Sequence, residues 1–245
     1  MLKEAVILIT GAGKGIGEAV VLELLKKEDQ FPGLKLFLTS RTEADLMGLT
    51  LLAKSQEIEC HYLACDLGAE PKTALDACLK IYGRVDVVIH SAGVGRFGSF
   101  TELTPDDLSY VLKTNVEGSF LFMQAVYAQM QKQGLGFARM RGQIQWVTST
   151  AAETPFEQSS IYCMSKYAQR GLIEVMRVYG RRDRIRILDV KPGPTITPMW
   201  GDVSDEQKSK MMDPKDVASP MITALLLASN ASIEEITLRP IQGDL

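Results

Sequence analysis

A short apolar run that leads directly into a glycine-rich turn constrains the fold of this chain more than any other feature. The run covers residues 5–9, the turn covers residues 10–17, and a helical pattern begins at Glu18. Glycine lets the backbone turn tightly and approach a ligand, and the free N–H groups at a helix start attract anions. A strand, turn and helix in this order therefore predict a cradle for the phosphates of a dinucleotide. The residues predicted to form it are Gly11, Gly13, Lys14, Gly15, Ile16 and Gly17.

Apolar runs that suit buried strands alternate with helical patterns along the chain. This alternation predicts a doubly wound, Rossmann-like α/β fold, in which helices cover both faces of a parallel sheet. We see no repeats or low-complexity tracts and expect a single domain over residues 1–245. The predicted strands are residues 5–9, 34–39, 59–64, 85–90, 143–147, 185–190 and 235–238, and the predicted helices are residues 15–28, 43–55, 71–82, 104–132, 160–182 and 214–228.

The composition disfavours several classes of function. The formal net charge of −3 argues against generic binding to nucleic acid or to an anionic membrane surface. No apolar run approaches the ~20 residues of a membrane span, and the apolar run near the N-terminus is too short for a secretory signal. Four cysteines without C-x-x-C spacing and only two histidines give little support to a metal site or a disulfide framework. We therefore expect a cytoplasmic protein without a nucleic-acid or membrane partner.

The residues that follow the predicted strands are small, polar or charged. Ligands of parallel α/β sheets bind beyond the carboxyl ends of the strands, so we predict that these positions line one shared cleft. Asp66 is expected to accept a hydrogen bond from the adenine amino group, with Leu67 against the ring edge; the alternative is an ordinary loop aspartate. The positions are Ser40, Arg41, Asp66, Leu67, Ser91, Ala92, Gly93, Ser149, Pro192 and Gly193.

The position after the second predicted strand selects between the two nicotinamide dinucleotides. An acidic residue there would bind the ribose hydroxyls of NAD and repel a 2′-phosphate. This chain has Ser40 and Arg41 instead, with a second cation, Lys14, in the glycine-rich turn. A guanidinium and an ammonium suit a phosphate with about two negative charges, so we predict NADP(H). The alternative is that Lys14 and Arg41 are ordinary surface residues.

A tyrosine and a lysine form the predicted catalytic pair. Tyr162 and Lys166 are four residues apart in a predicted helix, which places both side chains on one face. A free phenol has a pKa of about 10, and we expect the nearby ammonium to lower the pKa of Tyr162 toward that of a useful general acid. A lone Y-x-x-x-K pair is weak evidence. Ser149 strengthens it, because its hydroxyl at a strand end can polarise a substrate carbonyl.

An asparagine lies in the middle of the helical pattern of residues 104–132. This residue, Asn115, is unfavourable there because its side chain competes for backbone hydrogen bonds. We expect it to open the helix and to hold a water that relays protons toward Lys166. The alternative is an incidental polar residue between two helices.

Together, in this order, these residues resemble the short-chain dehydrogenase/reductase family over essentially the whole chain. The glycine spacing contributes, because Gly11, Gly15 and Gly17 read G-x-x-x-G-x-G and not the commoner G-x-G-x-x-G. The resemblance implies a seven-stranded parallel sheet and hydride transfer at a carbonyl or alcohol. The segments on which it depends are residues 10–17, 65–67, 91–93 and 192–197, together with Asn115, Ser149, Tyr162 and Lys166.

The resemblance also implies roles for individual residues. Tyr162 would be the acid or base, while Lys166 would tune it and bind the nicotinamide ribose. Ser149 would orient the carbonyl, and Thr195 and Thr197 would hold the nicotinamide carboxamide.

One departure from the family pattern follows the fourth predicted strand. The family usually has asparagine before Ala92, whereas this chain has Ser91, preceded by His90. A serine reaches less far than an asparagine, so we expect weaker bracing of the strands at this position.

Aromatic residues surround the predicted substrate position above the nicotinamide. A flat heterocycle could stack between Phe97 and Trp200, near Phe156; the alternative is that these rings only pack against their own loops. Several segments resemble bacterial sepiapterin reductases, a branch of the family, which implies NADPH-dependent reduction of a side-chain ketone of a pterin. Asp244 would then meet the amino-pyrimidine edge. The segments are residues 93–98, 159–166, 197–201 and 238–240.

Two other functions stay open from the sequence. A reductase of 3-oxoacyl thioesters or small diketones would be favoured by a basic patch at the cleft mouth, for which residues 139–141 are a candidate. A non-catalytic NADP(H)-sensing protein need not keep both Tyr162 and Lys166, so their presence argues against it. Residues 104–132 and 160–182 have more apolar positions than one sheet face needs, and the proteins that this chain resembles pair these helices across a two-fold axis. The resemblance therefore implies a homodimer, with a tetramer as the alternative.

Overall fold

The computed structural model describes residues 3–136, 139–227 and 231–243. These residues form one parallel sheet in the strand order β3-β2-β1-β4-β5-β6-β7. The strands are β1 (Val6–Thr10), β2 (Lys35–Ser40), β3 (Glu59–Ala64), β4 (Val87–His90), β5 (Gly142–Val147), β6 (Ile185–Pro192) and β7 (Glu235–Leu238). The predicted fold class is confirmed, with small shifts at several strand ends.

Helices connect the strands and cover both faces of the sheet. They are α1 (Gly15–Lys26), α2 (Glu43–Ser55), α3 (Thr73–Tyr82), α4 (Pro105–Leu112), α5 (Ser119–Lys132), α6 (Ser160–Asp183), α7 (Asp205–Ser209) and α8 (Pro214–Leu225). The helix predicted over residues 104–132 is divided, because the π-helical segment Lys113–Gly118 joins α4 to α5. Sequence patterning missed α7, whose five residues are too few to show a helical period.

Apolar side chains bury both faces of the sheet, as expected for parallel strands between two helical layers. On β1, Ile7 and Ile9 pack with α1, α2 and α8, whereas Val6 and Leu8 pack with α3, α5 and α6. Five polar side chains interrupt this pattern in β5 and β6. They are Gln143, Gln145, Arg186, Asp189 and Lys191.

The strand order places a crevice above the centre of the sheet. The chain builds β2 and β3 on one side of β1 and then returns to build β4 on the other side. Loops that leave the carboxyl ends of β1 and β4 therefore diverge, and ligands of such sheets bind in the space between them. Within the described ranges, no helix is both long enough and apolar enough to cross a bilayer.

Candidate active site

The loops beyond the carboxyl ends of the strands enclose one large cleft with a volume of about 680 Å³. Among the described residues, nearly all of the predicted site residues line it, from Gly13 and Arg41 at one end to Tyr162 and Trp200 at the other. Gly17 and Asn115 are the exceptions, and both lie behind the wall of the cleft. Asp244 lies outside the described residues.

The glycine-rich turn is packed too closely to accept side chains. A Cβ atom at Gly17 would lie 2.2 Å from the carbonyl oxygen of Gly11, and one at Gly11 would lie 2.7 Å from the backbone nitrogen of Ala92. A Cβ at Gly15 would lie 3.0 Å from Cγ2 of Thr197, so the turn also approaches the segment after β6. The turn and the start of α1 thus present bare backbone to the cleft, which fits the pyrophosphate of a dinucleotide.

The end of the cleft near β2 contains exposed cations. The Lys14 ammonium lies 3.5 Å from the Asp45 carboxylate, and the Lys14 side chain is 58% exposed. Arg41 Nη1 donates a hydrogen bond of 3.0 Å to the Tyr110 hydroxyl, and the Arg96 guanidinium lies 4.3 Å from the centroid of the same ring. Tyr110 therefore holds Arg41 across the cleft from α4. Sequence reasoning missed Tyr110, because nothing in its local pattern links it to a loop 69 residues away.

Tyr162 and Lys166 lie together on the buried side of α6, beside the end of β5. The Lys166 ammonium is 5.5 Å from the centre of the Tyr162 ring and donates a hydrogen bond of 3.3 Å to the carbonyl of Val147. Burial lowers the pKa of Lys166 to about 8, against the opposing charge of Asp189. The four-residue spacing thus puts both side chains on one side of α6. Because the Lys166 ammonium is buried there, it loses its proton more easily than an ordinary lysine.

The expected lowering of the Tyr162 pKa is wrong for this structure. Burial raises the pKa of Tyr162 to about 12, and a hydrogen bond with Ser149 opposes that rise only in part. The physical reason is that the Lys166 ammonium donates to a backbone carbonyl, while the phenol is enclosed in an environment that disfavours its charged form. Tyr162 is consequently protonated at neutral pH.

The π-helical segment brings Asn115 against the loop after β4 and against α6. Its side-chain amide exchanges two hydrogen bonds with the backbone of Val94, at 2.9 Å and 2.8 Å, and donates a third to the Ser165 hydroxyl at 3.0 Å. The main-chain carbonyl of Asn115 accepts from Gln169 Nε2 at 2.7 Å. The helix is therefore opened at this residue, and its side chain is used to fix the loop that borders the cleft. Gln169 was not identified from the sequence.

His90, and not Ser91, braces the structure at the end of β4. Its two ring nitrogens lie 2.8 Å from the Thr10 hydroxyl and 2.9 Å from the Ser119 hydroxyl, so it joins β1 to α5. Burial lowers the pKa of His90 to about 3, with a contribution from the charge of Lys166, and the ring is therefore neutral. Ser91 faces the cleft instead.

Three aromatic rings and Tyr162 form one wall of the cleft. Phe97 is central: its ring centroid is 6.0 Å from that of Trp200, and the two planes are parallel to within 3°. Phe97 also lies 5.2 Å from the Tyr162 ring and 6.4 Å from Phe156. Trp200 reaches this position from the short 3₁₀ turn Pro198–Trp200. The structure therefore brings the three predicted aromatic residues together beside the phenol.

No group of three or more histidine, cysteine, aspartate or glutamate side chains is arranged as metal ligands anywhere in the described part of the chain. The polar groups of the cleft are instead a buried phenol and ammonium at one end and exposed cations at the other. This combination suits proton transfer beside a bound anion.

Comparisons with known proteins agree with this geometry. A family model described as short chain dehydrogenase matches residues 5–208. A sepiapterin reductase of Chlorobaculum tepidum is 42% identical over 244 residues, which cover 98% of each chain. An uncharacterized oxidoreductase of Staphylococcus saprophyticus is 25% identical and covers 98% of this chain and 99% of its own.

Solved structures share the fold. An alcohol dehydrogenase of Thermococcus sibiricus, complexed with 5-hydroxy-NADP, matches with a TM-score of 0.86 at 24% identity over 98% of both chains. A variant of actinorhodin polyketide ketoreductase with NADPH matches with a TM-score of 0.83 at 24% identity over 100% of both chains. With the sequence match over most of its length, this chain is an oxidoreductase that belongs to the short-chain dehydrogenase/reductase family.

Proposed function

We propose that this protein is an NADPH-dependent carbonyl reductase whose substrate is a pterin with a ketone on its side chain. The observation that supports this most directly is the parallel pair of Phe97 and Trp200 beside a protonated Tyr162. The pair offers two flat faces to a flat ring, and the phenol offers a proton. The relative from Chlorobaculum tepidum, which is named a sepiapterin reductase, points to the same substrate class.

The cleft fits NADP(H) better than NAD(H). Lys14, Ser40 and Arg41 border the position where an acidic residue would bind the ribose hydroxyls of NAD, and two of them are cationic. Two of the structural neighbours contain NADP derivatives or NADPH. The bare backbone of the glycine-rich turn would hold the pyrophosphate, and Thr195 and Thr197 would hold the carboxamide of the nicotinamide. When bound, the cofactor supplies a hydride to the carbonyl carbon.

The side chains at the other end of the cleft complete the reduction. Tyr162 donates its proton to the carbonyl oxygen as the hydride adds to carbon, which converts the ketone to an alcohol. Burial raises the pKa of Tyr162 to about 12, so the phenol holds this proton at neutral pH and can act as the acid of the reduction. The Ser149 hydroxyl orients the carbonyl, and the Lys166 ammonium stabilises the phenolate that remains.

Proton return to Tyr162 would pass through Lys166 and a water at Asn115. The main-chain carbonyl of Asn115 accepts one hydrogen bond from Gln169, and a carbonyl oxygen has two lone pairs. The relay water would bind the second lone pair of this oxygen, while the amide side chain fixes the loop.

Stacking a pterin requires the aromatic pair to open slightly. Three stacked rings need about 7 Å between the planes of the outer two, because each contact is about 3.5 Å. The centroids of Phe97 and Trp200 are 6.0 Å apart, so their parallel planes are at most that far apart. A shift of the short turn that ends at Trp200 would provide the difference. Asp244, which lies outside the described residues, is the proposed partner of the amino-pyrimidine edge.

The test is NADPH oxidation with sepiapterin, a small diketone and an acetoacetyl thioester, each at several concentrations. We expect the highest kcat/KM with sepiapterin. A preference for the diketone or the thioester would contradict the pterin assignment but leave the carbonyl reductase intact. The absence of turnover with every ketone, together with tight NADPH binding, would instead support a sensing protein.

The basic loop that the thioester alternative requires does not border the cleft. Residues 139–141 precede β5 and therefore lie at the amino ends of the strands, opposite the site. The Arg141 guanidinium donates to the carbonyls of Gln131 and Gln133. This loop is thus poorly placed to guide an acidic carrier protein to Tyr162.

We also propose a homodimer formed through α5 and α6. Exposed apolar side chains follow one another at helical spacing along α6, including Tyr167, Val175 and Val178, and Phe120 is exposed on α5. Light scattering should give the mass of a dimer, with a tetramer as the alternative. A monomer at working concentration would contradict the proposal.

A further inference from the structure

A buried carboxylate lies under α6 and takes no direct part in the proton transfer described above. Asp189, in β6, has none of its surface exposed. Its Oδ1 accepts a hydrogen bond from the hydroxyl of Thr148, whereas its Oδ2 has no hydrogen-bond partner in the structure. An ionised carboxylate this deeply buried costs free energy unless cations compensate for it.

Asp189 is linked to the catalytic end of β5. It lies opposite Trp146 in the pairing of β5 with β6, and its partner Thr148 directly precedes Ser149. Val147, the last residue of β5, lies between Trp146 and Thr148, and its carbonyl accepts the hydrogen bond of 3.3 Å from the Lys166 ammonium. The carboxylate and the ammonium are thus both hydrogen-bonded to residues at the carboxyl end of β5. Consistent with this, the charge of Asp189 raises the pKa of Lys166 against the effect of burial.

The other cations near Asp189 have carboxylates of their own. Lys191 is paired with Glu153 at 2.5 Å and with Glu235 at 2.6 Å, and Arg177 is paired with Glu235 at 3.1 Å. Among the described residues, no carboxylate forms a direct ion pair with Lys166. Asp189 is therefore the negative charge that acts on an ammonium otherwise left uncompensated.

The neighbours of Lys166 do not replace this charge. The groups that face it are His90, which is neutral, Tyr162, which is protonated at neutral pH, and Asp189. We propose that Asp189 is a positioning residue for the reduction: it braces the strand end that bears Ser149 and keeps Lys166 protonated. This inference rests on the proposed function, because only a protonated Lys166 stabilises the Tyr162 phenolate.

Asp189→Asn tests the charge while keeping the shape and the hydrogen bond from Thr148. Without the carboxylate, Lys166 should lose its proton about 1 pH unit lower. The alkaline limb of the kcat/KM profile should move down by the same amount, which gives about a 5-fold loss at pH 8 and almost none at pH 6. Any ketone that the wild-type protein reduces can be used for this profile.

A second readout does not depend on activity. The titration of Lys166 in the cofactor-free protein can be followed by NMR of ¹⁵Nζ-labelled lysine, with the signal assigned from its loss in Lys166→Met. The Lys166 signal should titrate at lower pH in Asp189→Asn than in wild type. If the wild-type protein reduces no ketone, the proposed function fails, yet this titration still decides whether Asp189 acts on Lys166.

Two control variants separate charge from bracing. Asp183→Asn removes a carboxylate at the far end of α6, where it accepts from Tyr127 and Gln131, and should leave the pH profile unchanged. Thr148→Val removes the brace but keeps the charge, and should lower kcat without moving the alkaline limb.

Three results would overturn the proposal. One is an unshifted Lys166 titration in folded Asp189→Asn. Another is an equal shift in Asp183→Asn. The third is a protonated Asp189 at pH 7 in the wild-type protein, where we expect ¹³Cγ NMR of labelled aspartate to show an ionised carboxylate. This measurement does not depend on the folding of a variant.

Discussion

The two ends of the cleft place their charges in opposite environments. At the end near β2, Lys14 is largely exposed and its partner Asp45 is only partly buried. At the end near β5 and β6, Lys166 is 3% exposed, and behind the cleft wall Lys191 is 2% exposed and Asp189 is fully buried. Exposed charges act weakly and are screened by salt, whereas buried charges shift pKa values and stability strongly. The exposed end is therefore suited to choosing a cofactor and the buried end to controlling a proton.

The largest effect is expected at the buried end, from Tyr162→Phe. Loss of the acidic proton should lower kcat by about 10³-fold, while the Kd of NADPH stays near the wild-type value. NADPH fluorescence and steady-state oxidation measure the two quantities. Tyr167→Phe is the matched control, because that tyrosine lies on the same helix with its hydroxyl on the Glu153 carbonyl, and it should retain turnover. Wild-type kcat in Tyr162→Phe would refute the assignment of the acid.

Lys191→Met should destabilise the fold by about 2 kcal/mol, because it removes a buried cation that is hydrogen-bonded to the partly exposed carboxylates of Glu153 and Glu235. Urea denaturation gives the free energy of unfolding. Lys210→Met removes an exposed pair with Glu206 and should change that free energy by less than about 0.5 kcal/mol. Equal changes in the free energy of unfolding would show that the buried and the exposed ion pairs contribute equally to stability.

The pH profile of kcat/KM should show the buried ammonium directly. The pKa of Lys166 is lowered to about 8, so activity should be flat below that pH and fall about tenfold per pH unit above it as the lysine loses its proton. The pH of the midpoint should not move with salt, because the group is buried. A profile that stays flat to pH 10 would show that Lys166 keeps an ordinary pKa.

The smallest effect is expected at the exposed end. Arg41→Ala should raise the Kd of NADPH by about 5-fold at low salt and by less at high salt, and should leave the Kd of NADH unchanged. Fluorescence titration at two salt concentrations tests both parts. Lys208→Ala removes an exposed cation paired with Asp205 and should change neither constant. An equal loss for NADH would show that Arg41 does not contact a 2′-phosphate.

The parts of the molecule that sequence could predict are those encoded by local spacing. The alternation of strands and helices gave the sheet, and the four-residue spacing of Tyr162 and Lys166 placed both on one side of α6. The direction of the Tyr162 pKa was wrong because spacing shows which groups are near, but not how deeply they are buried or where an ammonium donates.

Contacts between distant segments were out of reach for the same reason. Tyr110 meets Arg41 across 69 positions and Asp189 meets Thr148 across 41, and neither pair has a local pattern. Asn115 combines a feature that local sequence predicts with contacts that it does not predict. Its mid-helix position predicted an opened helix, yet its hydrogen bonds to Val94 and Ser165 depend on the folded arrangement.

The closed aromatic pair has a consequence for selectivity. Phe97 and Trp200 already stack in parallel, so a substrate must separate them before it can lie between them. A flat bicyclic ring replaces the lost contact with two new ones, whereas a small aliphatic ketone replaces it with little. Under the proposed function, small carbonyl compounds bind poorly because their contacts with Phe97 and Trp200 do not compensate for the lost stacking between these two rings. The protein therefore selects against them without a pocket that excludes them by size.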